Sequence, residues 1–565
     1  MLAALVVPSF GEVEIQLESA DELLETNLQT RLALAAEGCD APRWRVRRLF
    51  ARAEQDFDPA LRALGYYRAE IEKTLETDDD CWRATFKVDP GERTRVRSRK
   101  VTIDGEAAGD DAMQALLAAL PLSEGEPLNH ADYEGIKNRL RTYALENGYF
   151  DFAIQRQELR VSPEQSAADI VIEASSGPRY RFGELRFNEQ PINETLLRRL
   201  GRLEPGAEYD SAALIALDRQ LSDTGYFQSV EVRARRQEAV DLQIPVDVQV
   251  EPAKRNAWRA GLGYSTDTGP RASLQYSNRY INPRGHHLNS ELRLSPADSG
   301  LKADYLIPGR DPTRETFSFG AGLTHEVTDS ATSDSASLIA RQILKSKGWT
   351  QTRFLELLYE RSEVGSIDDT YTLLMPGVAL NRIKADDPLR THQGYRVTLD
   401  ARGAYEALLS TTTMLQFRAS GKRIHRFGEG GRVTVRGDAG TTLVDSVLDL
   451  PASLRFFAGG DNSVRGYDYE ALGPLDAQGD VQGGRHLLTG SVEYEHPVSG
   501  DDWWVAAFAD AGNAFDKTDD IDVKAGYGVG VRWYSPVGRL RLDLAFPDDT
   551  TNDDWRLHFG LGADL

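Results

Sequence analysis

The sequence predicts an α+β N-terminal region followed by an all-β barrel that spans a membrane. Three observations lead to this fold class. A β-α-α-β-β pattern occurs three times before about residue 254. Beyond that point, apolar and polar residues alternate, which is typical of strands that face lipid on one side and water on the other. The remaining length accommodates about 16 strands, an even number that lets an antiparallel barrel close.

Composition limits the class of protein and the kind of partner. The 565 residues include 66 Lys and Arg and 88 Asp and Glu, and the formal charge of -22 argues against a nucleic acid partner. The sequence has no apolar run of the ~18 to 20 residues that a membrane helix needs. A membrane barrel is compatible with this hydropathy, because only alternate residues of each strand meet lipid.

Two features near the start of the chain concern export. The opening MLAALVVPSFG resembles the apolar core of a secretory signal without its basic start, so residues 1–11 are interpreted as a signal-peptide remnant. Cys39 and Cys81 have no metal-like spacing and could form a disulfide in an oxidising compartment. Such a bond would tie the helical part of the module to its third strand. Two buried free thiols are the alternative.

Each N-terminal repeat is marked by a glycine followed by two aromatic residues. The triplets begin at Gly65, Gly148 and Gly225, about 80 residues apart, which is a domain-sized period. Each triplet ends a helical pattern, where glycine is the usual left-handed cap and the rings are expected to pack in an ordinary core. A strand precedes each helical part and two strands follow it. The predicted modules cover residues 12–92, 93–177 and 178–253.

Residues 254–565 are predicted to form the barrel. In RLRLDLAF, which begins at Arg539, large apolar residues alternate with arginine and aspartate. Turn-rich stretches such as TDTGPR separate similar runs. A soluble β-sandwich is the competing interpretation. The length of the region, its charged inward face and a strand pattern that reaches the last residue favour the barrel.

The segment FFAGGDNSVRGY, from Phe456 to Tyr467, differs from the strands around it. It places Arg465 between glycines and aromatic residues, and it is predicted to be a loop folded into the barrel. An arginine inserted among barrel-lining residues needs a carboxylate to offset its desolvation. An extracellular loop with a solvated arginine is the alternative.

The sequence contains no familiar catalytic or metal-binding motif. It has no HExxH, GxSxG or GxxxxGK[ST] pattern and no paired cysteine ligands. The adjacent pair His286 and His287 falls in a predicted turn and is not interpreted as a metal site. We therefore expect no enzyme activity, no cofactor and no metal. A patatin-like enzyme fused to a barrel is a further possibility, but the sequence lacks the Ser and Asp motifs of such enzymes.

These features together resemble a known family. Three such modules before a barrel that carries VRGY at 464–467 resemble proteins that combine polypeptide-transport-associated (POTRA) domains with a membrane barrel. The sequence is most similar to the TamA-type members, the outer-membrane subunits of the translocation and assembly module. The similar segments are LRALGYY, NGYFD, SSGPRYRFG and TGYF in the modules and GLGYSTDTGPR and HFGLGADL in the barrel. Three modules fit this type better than the five of BamA or the two of secretion transporters.

The resemblance implies roles for a loop motif and for lumenal acids. The lid-loop motif would consist of Val464, Arg465, Gly466 and Tyr467. Its arginine would lie inside the barrel and pair with Asp510, which stands in the FxDxG pattern at 508–512, and with Glu493.

The resemblance also implies a lateral gate between the first strand, at about 258–265, and the last strand, at about 555–565. The gate residues would be Gly261 and Gly263 on one side and Gly560, Gly562 and Leu565 on the other. Glycines weaken strand pairing because they pack no side chain and lose more backbone entropy on folding. On the last strand, His558 would face the lumen and Phe559 would face lipid.

The family's function would make this chain an insertase of the Gram-negative outer membrane with its modules in the periplasm. It would assist autotransporters and other β-barrel proteins to assemble. Its partners would be unfolded clients, outer-membrane lipid and, through POTRA 1, a TamB-like periplasmic protein anchored in the inner membrane. A two-partner-secretion-type export pore and a passive porin are alternatives. The sequence shows no plug helix ahead of the modules, which disfavours the export pore, and the VRGY segment argues against a porin.

Overall fold

The computed structural model describes residues 11–18, 21–78, 81–365, 367–388, 390–428, 430–500, 502–519, 521–535, 538–548 and 555–562. The signal-peptide remnant, apart from Gly11, and the gate residue Leu565 lie outside these ranges. Among the helices in the described ranges, none has both the length and the apolar character needed to cross a membrane.

Two compact units make up the chain. The first contains Met1–Arg186, Leu203–Ala216 and Val232–Val248, and the second contains Phe187–Arg202, Leu217–Glu231 and Gln249–Leu565. The predicted modules at 12–92 and 93–177 lie in the first unit, and the predicted barrel lies in the second. The predicted module at 178–253 contributes segments to both.

The first module has the predicted β-α-α-β-β order. Its elements are β1 (Glu12–Leu17), α1 (Glu22–Arg31), α2 (Arg43–Ala63), β2 (Glu70–Thr77) and β3 (Trp82–Asp89). The sheet order is β1-β3-β2, with β1 parallel and β2 antiparallel to β3. Alternate residues of β3 are buried, and the ring of Phe86 meets Phe57 of α2 edge-on at 5.2 Å between centroids. The helices and the sheet therefore close a common core.

A disulfide joins Cys39 and Cys81, whose Cα atoms lie 4.5 Å apart. Cys39 lies before α2 and Cys81 immediately before β3, so the bond links the helical part of the module to its third strand. Because the two cysteines are 42 residues apart, the bond restricts a substantial loop in the unfolded chain.

The second module repeats the same order. Its elements are β4 (Arg95–Asp104), α3 (Asp111–Ala118), α4 (His130–Glu146), β5 (Ala153–Ser162) and β6 (Ala167–Ser175). The sheet order is β4-β6-β5. Asp110 caps α3 by accepting a hydrogen bond from the Ala112 N–H, and the hydroxyls of Tyr143 and Tyr149 donate to its other oxygen at 2.8 and 3.1 Å. One carboxylate thus joins α3, α4 and the triplet that follows α4.

The hydrogen bonds to Asp110 change how this group titrates. Burial alone would raise the pKa of the Asp110 carboxyl, but bonds from Tyr143, the Ala112 N–H and Tyr149 lower it below the usual value. Burial and the bond to Asp110 raise the pKa of Tyr149 to about 12. A carboxyl whose pKa is lowered by folding stabilises the module above its unfolded pKa and stops doing so as pH falls through the folded value.

We expect Asp110→Ala to lower the free energy of unfolding of the second module by about 2–3 kcal/mol at neutral pH, because a helix cap is lost and two hydroxyls lose their acceptor. The difference should shrink as pH falls through the Asp110 pKa. Urea-dependent proteolysis within residues 93–177 of the intact chain measures both effects. The matched control is Asp111→Ala, which removes an exposed neighbouring carboxylate and should cost about 0.5 kcal/mol or less. Equal effects of the two substitutions would contradict the assignment.

The third module also follows the predicted order. Its elements are β7 (Arg181–Phe187), α5 (Glu194–Gly201), α6 (Ser211–Ser222), β8 (Phe227–Ala234) and β9 (Gln243–Pro252), with sheet order β7-β9-β8. Tyr226, from the triplet after α6, has a second role beyond core packing. Its hydroxyl donates to the Gly285 carbonyl at 2.7 Å and its ring stacks on His287 at 4.9 Å between centroids. His286 lies in the predicted turn, whereas His287, which this ring contacts, is the first residue of the strand that follows.

The triplet glycines have the backbone conformation that the sequence predicts. The φ angles of Gly65, Gly148 and Gly225 are 90°, 83° and 72°, in the left-handed region that favours glycine. The tyrosine that follows each glycine is buried. The triplets therefore mark helix ends and cores, as expected.

Sixteen strands in the described residues form one antiparallel sheet in chain order. They are β10 (Asn256–Ser265), β11 (Gly269–Asn278), β12 (His287–Leu294), β13 (Asp298–Pro308), β14 (Glu315–Val327), β15 (Ala331–Ser346), β16 (Trp349–Val364), β17 (Ile367–Ala385), β18 (Gly394–Ala404), β19 (Met414–Phe427), β20 (Gly431–Leu443), β21 (His486–Ser499), β22 (Trp503–Phe515), β23 (Lys524–Ser535), β24 (Gly538–Pro547) and β25 (Arg556–Gly562). On β24, Leu542 is exposed on the outer face while Asp543 is fully buried on the inner face. This alternation confirms the predicted barrel rather than a sandwich with an apolar interior.

Candidate functional site in the barrel lumen

The lid loop, Phe456–Tyr467, lies in the long connection between β20 and β21. The Phe456 N–H donates to the Gly484 carbonyl and the Ala458 N–H donates to the Leu472 carbonyl, both at 2.9 Å, so the connection pairs with itself. Val464 is fully buried in a small apolar cluster at this point. The other buried members are Phe456, Ala458, Leu472, Leu487 and Ala514. These contacts fix the loop against the wall strands β21 and β22.

Two glycines allow the lid backbone to touch the wall. Gly466 has a φ of 101°, and a Cβ at this position would lie 3.0 Å from the Pro547 nitrogen. On β23, a Cβ at Gly526 would lie 1.8 Å from the Arg465 carbonyl oxygen. A side chain at either position would push the loop away, so the approach depends on glycine in both the loop and the wall.

Arg465 is buried, with 2% of its surface exposed, and carboxylates surround its guanidinium. Its Nε and Nη2 donate to the two oxygens of Asp510 at 2.7 and 2.9 Å, which is a bidentate pair. Its Nη1 donates to Glu493 at 2.7 Å and to Asp543 at 3.0 Å. The ring centroid of Phe508 lies 3.4 Å from the guanidinium carbon. Charge pairing and a cation–π contact therefore hold the same group.

Arg465 belongs to a larger buried charge cluster on the wall strands. Arg432 donates to Glu495 at 2.6 Å, Arg532 contacts both Glu493 and Asp543, and Arg539 contacts Glu495. The cluster comprises Arg432, Arg465, Arg532, Arg539, Glu493, Glu495, Asp510 and Asp543. The cluster contains four arginines and four carboxylates, so its formal charges cancel. Pairing of opposite charges offsets the free-energy cost of removing these ions from water. Loss of any one member leaves an unbalanced buried charge.

Asp461 connects the lid loop to both ends of the barrel sheet. Its carboxylate accepts hydrogen bonds from the Thr266 hydroxyl at 3.1 Å, just beyond β10, and from His558 Nδ1 on β25 at 2.6 Å. The Asp461 N–H donates to Asp267 at 2.9 Å. The Gly466 N–H donates to His558 Nε2 at 3.0 Å. One lid residue thus contacts the first hairpin and the last strand.

Ligand atoms of Asp267, Asp461 and His558 lie within 4.8 Å of one another, as they would around a metal ion. The hydrogen bonds identify a different arrangement. His558 donates from Nδ1 to Asp461 and accepts from the Gly466 N–H at Nε2, so neither ring nitrogen has a lone pair left for a metal. These three residues fit a hydrogen-bonded junction rather than a metal centre.

The seam between β10 and β25 is the discontinuity of the sheet. In the described part of the chain, no ladder register joins β10 to β25, whereas each strand is paired in register with its neighbour in sequence from β10 through to β25. Thr266 and Phe559 meet across the seam, with the Thr266 N–H donating to the Phe559 carbonyl at 3.3 Å and the Phe559 N–H donating to the Thr266 hydroxyl at 3.1 Å. Asp461 therefore adds side-chain contacts to a junction at which the described residues form no ladder.

The predicted gate glycines lie on the two seam strands, Gly261 and Gly263 on β10 and Gly560 and Gly562 on β25. A Cβ at Gly263 would lie 2.7 Å from Nε of Arg271, and a Cβ at Gly560 would lie 2.7 Å from Nε of Arg541. Gly263 and Gly560 therefore make room for arginine side chains that lie over the strands.

We expect Asp461→Ala to loosen the lid and the seam together. Loss of the acceptor for the Thr266 hydroxyl and for the buried His558 ring costs about 2–3 kcal/mol locally, which corresponds to about 30- to 150-fold faster amide exchange. Hydrogen exchange of peptides covering 456–467 and 556–562 measures the change, and peptides from β14 to β16 should be unaffected. The matched control is Asp480→Ala, an exposed carboxylate in the same β20–β21 connection. Faster exchange in the lid alone would show that Asp461 does not support the seam.

Sequence reasoning identified some of these residues and missed others. The structure brings Arg465 together with Asp510 and Glu493, and it places His558 on the lumen side. Sequence reasoning did not identify Asp543 and Arg532 as members of this cluster, although their alternation with apolar residues marks them as lumenal. Asp461 was also missed, and its position directly after the Gly459-Gly460 pair in the lid segment was the available signal.

Comparisons with known proteins agree with this architecture. Residues 254–565 match the family model of the Omp85 superfamily domain. Residues 14–90 match the model described as POTRA domain TamA domain 1, and residues 96–177 match a POTRA model described as surface antigen variable number repeat.

The chain is similar to two curated proteins, each named outer membrane protein assembly factor BamA. It is 23% identical to the protein of Nitratidesulfovibrio vulgaris over 86% of this chain and 64% of that protein. It is also 23% identical to the protein of Neisseria meningitidis over 88% of this chain and 71% of that protein. The chain thus spans less than two thirds of the first of these relatives.

A solved structure supports the same fold. The crystal structure of BamA from Haemophilus ducreyi lacking POTRA domains 1-3 aligns with a TM-score of 0.69 at 15% identity, covering 82% of this chain and 99% of that one. The family match extends over more than half of the sequence. The chain belongs to the Omp85 superfamily of outer-membrane β-barrel proteins with periplasmic POTRA domains.

Proposed function

We propose that this chain is a TamA-type insertase that assembles autotransporters and other β-barrel proteins into the outer membrane. The observation that carries the proposal is the seam, where the described residues of β10 and β25 end the sheet without a ladder between them. An unpaired strand edge can accept an incoming strand through backbone hydrogen bonds. A client strand that pairs with either edge would enter the bilayer through the side of the barrel.

The lid loop would keep the barrel in a defined shape while the seam opens. Arg465 is bound by carboxylates on three wall strands, β21, β22 and β24, so it ties strands near the end of the sheet to one another. Asp461 contacts both sides of the seam. In this proposal, the arginine anchors the loop permanently and the Asp461 junction separates when a client enters.

The proposal requires neither an enzymatic step nor a nucleotide or metal. In the bilayer, every backbone polar group of a client must be paired and its apolar face can leave water. Burial of the client's own apolar surface therefore supplies the driving free energy.

We further propose that the first module contacts a TamB-like partner in the periplasm. The match of residues 14–90 to a TamA first-domain model supports this assignment. Photo-crosslinking from exposed positions of the first module in cells, followed by mass spectrometry, tests it. Crosslinks from equivalent positions of the second module serve as the control.

Reconstitution into vesicles tests the central proposal and its competitor. An unfolded outer-membrane barrel protein is added to vesicles with and without this chain, and its folding is followed by heat-modifiable electrophoretic mobility. An insertase should accelerate integration of the client into the bilayer. A two-partner-secretion-type pore, the second candidate, would instead deliver a water-soluble passenger into the vesicle interior. Equal client folding with and without the chain would refute the insertase proposal.

A further inference from the structure

Three basic side chains stand directly opposite one another on neighbouring wall strands. The antiparallel register pairs Arg396 of β18 with Lys422 of β19, and Lys422 with Arg436 of β20. Residues directly opposite share one face of a sheet, and like charges in such positions destabilise it. This basic row is therefore unfavourable for the strand pairing in which it occurs.

A cavity of about 630 Å³ lies between the basic row and the lid loop. Arg418 and Arg541 also line it, so five cationic side chains surround the space. Its acidic lining residues, within the described part of the chain, are Asp267, Asp438 and Glu470. Cations exceed carboxylates, in contrast to the chain as a whole, whose formal charge is -22.

Two of the three acids have partners. Asp438 lies 3.9 Å from Arg418, so this pair leaves four cations and two carboxylates in the lining, and Asp267 accepts the Asp461 N–H at 2.9 Å. Arg436 is held in place, since its Nη2 donates to the Ser463 carbonyl of the lid loop at 2.8 Å. Arg396 is exposed to the cavity. The space thus offers positive charge and hydrogen-bond donors on a fixed frame.

We propose that this cavity binds the carboxylates of an acidic polypeptide segment. Guanidinium and ammonium groups are suited to carboxylate and phosphate oxygens. A lipid phosphate would bring acyl chains among charged lumenal side chains, where they gain no apolar contact, whereas an acidic peptide brings only short polar side chains. The identity of the ligand rests on the proposed insertase function, because clients are polypeptides. The excess of positive charge does not depend on it.

Peptide binding to the full-length protein in lipid nanodiscs tests the inference. The probe is a labelled decapeptide containing five glutamates, and the comparison is the same peptide with five glutamines. At low ionic strength, the glutamate peptide should bind at least tenfold more tightly, and added salt should weaken it. The double variant Arg396→Gln/Lys422→Gln should reduce its affinity to that of the glutamine peptide.

Two further variants separate site charge from folding and from net charge. Lys422→Arg keeps the charge and should retain binding. Lys345→Gln/Arg310→Gln removes two exposed cations outside the cavity and should change the affinity less than twofold. Heat-modifiable mobility confirms that each variant is folded. Equal affinity for the two peptides, or unchanged affinity in Arg396→Gln/Lys422→Gln, would overturn the proposal.

Inorganic phosphate and client insertion complete the test. Phosphate that displaces the glutamate peptide supports an anion site, whereas phosphate binding without any preference for the glutamate peptide overturns the polypeptide assignment. Client insertion is measured on the same preparations. Insertion without peptide discrimination would refute this inference alone, and peptide discrimination without insertion would refute the proposed function while the anion site stands.

Discussion

Replacing Arg465 with alanine should detach the lid loop from the barrel wall and reduce client insertion at least tenfold. The substitution leaves the carboxylates of Asp510, Glu493 and Asp543 without a cation that now lies within 3.0 Å of each. Breaking a buried ion pair in this way costs about 3–5 kcal/mol. The loop should therefore become sensitive to protease between residues 456 and 467. The barrel itself should stay folded, since its ladders do not pass through the loop.

Graded variants show whether the geometry or only the charge of Arg465 matters. Arg465→Lys keeps the charge but loses the bidentate fork, so it should give an intermediate loss of insertion. Arg426→Ala removes an exposed arginine of a wall strand and should leave insertion unchanged. Normal insertion by Arg465→Ala with a protease-resistant loop would show that the arginine is not the anchor.

Cross-linking the seam should reduce the rate of client insertion at least tenfold while the barrel remains folded. The rings of Tyr264 and Phe559 lie 6.0 Å apart across the seam, close to Gly263 and Gly560. Cysteines in place of Tyr264 and Phe559, joined by a short bifunctional reagent that a reductant cleaves, would hold β10 and β25 together. If clients enter between these strands, the closed form cannot accept them. Reduction should restore insertion in the same preparation.

An equivalent cross-link within the ladder provides the control. Leu301 of β13 and Leu323 of β14 stand directly opposite each other, and both are exposed on the outer face. Cysteines at these positions, joined by the same reagent, connect strands that are already paired, so insertion should be unchanged. Unimpaired insertion with the seam cross-linked would refute the lateral gate.

The element types and their order were predictable because their patterns are local. Alternation in segments such as RLRLDLAF and the Gly-aromatic triplets depend on near neighbours, and the observed strands and positive φ angles follow them. The pairing of Arg465 with Asp510 was available only through the resemblance to the family. Nothing in the spacing of 45 residues between them identifies partners.

The sequence by itself determined three β-α-α-β-β modules, an antiparallel barrel and a charged loop between two strands, because periodicity and turn residues express themselves within a few positions of the chain. Only the tertiary structure decided which charges meet. Arg465 has partners 26 to 78 residues away, and Asp461 joins Thr266 and His558 from opposite ends of the barrel sequence. The physical reason is that closing the sheet brings its first and last strands together, and the register of each ladder sets which lumenal side chains lie opposite one another.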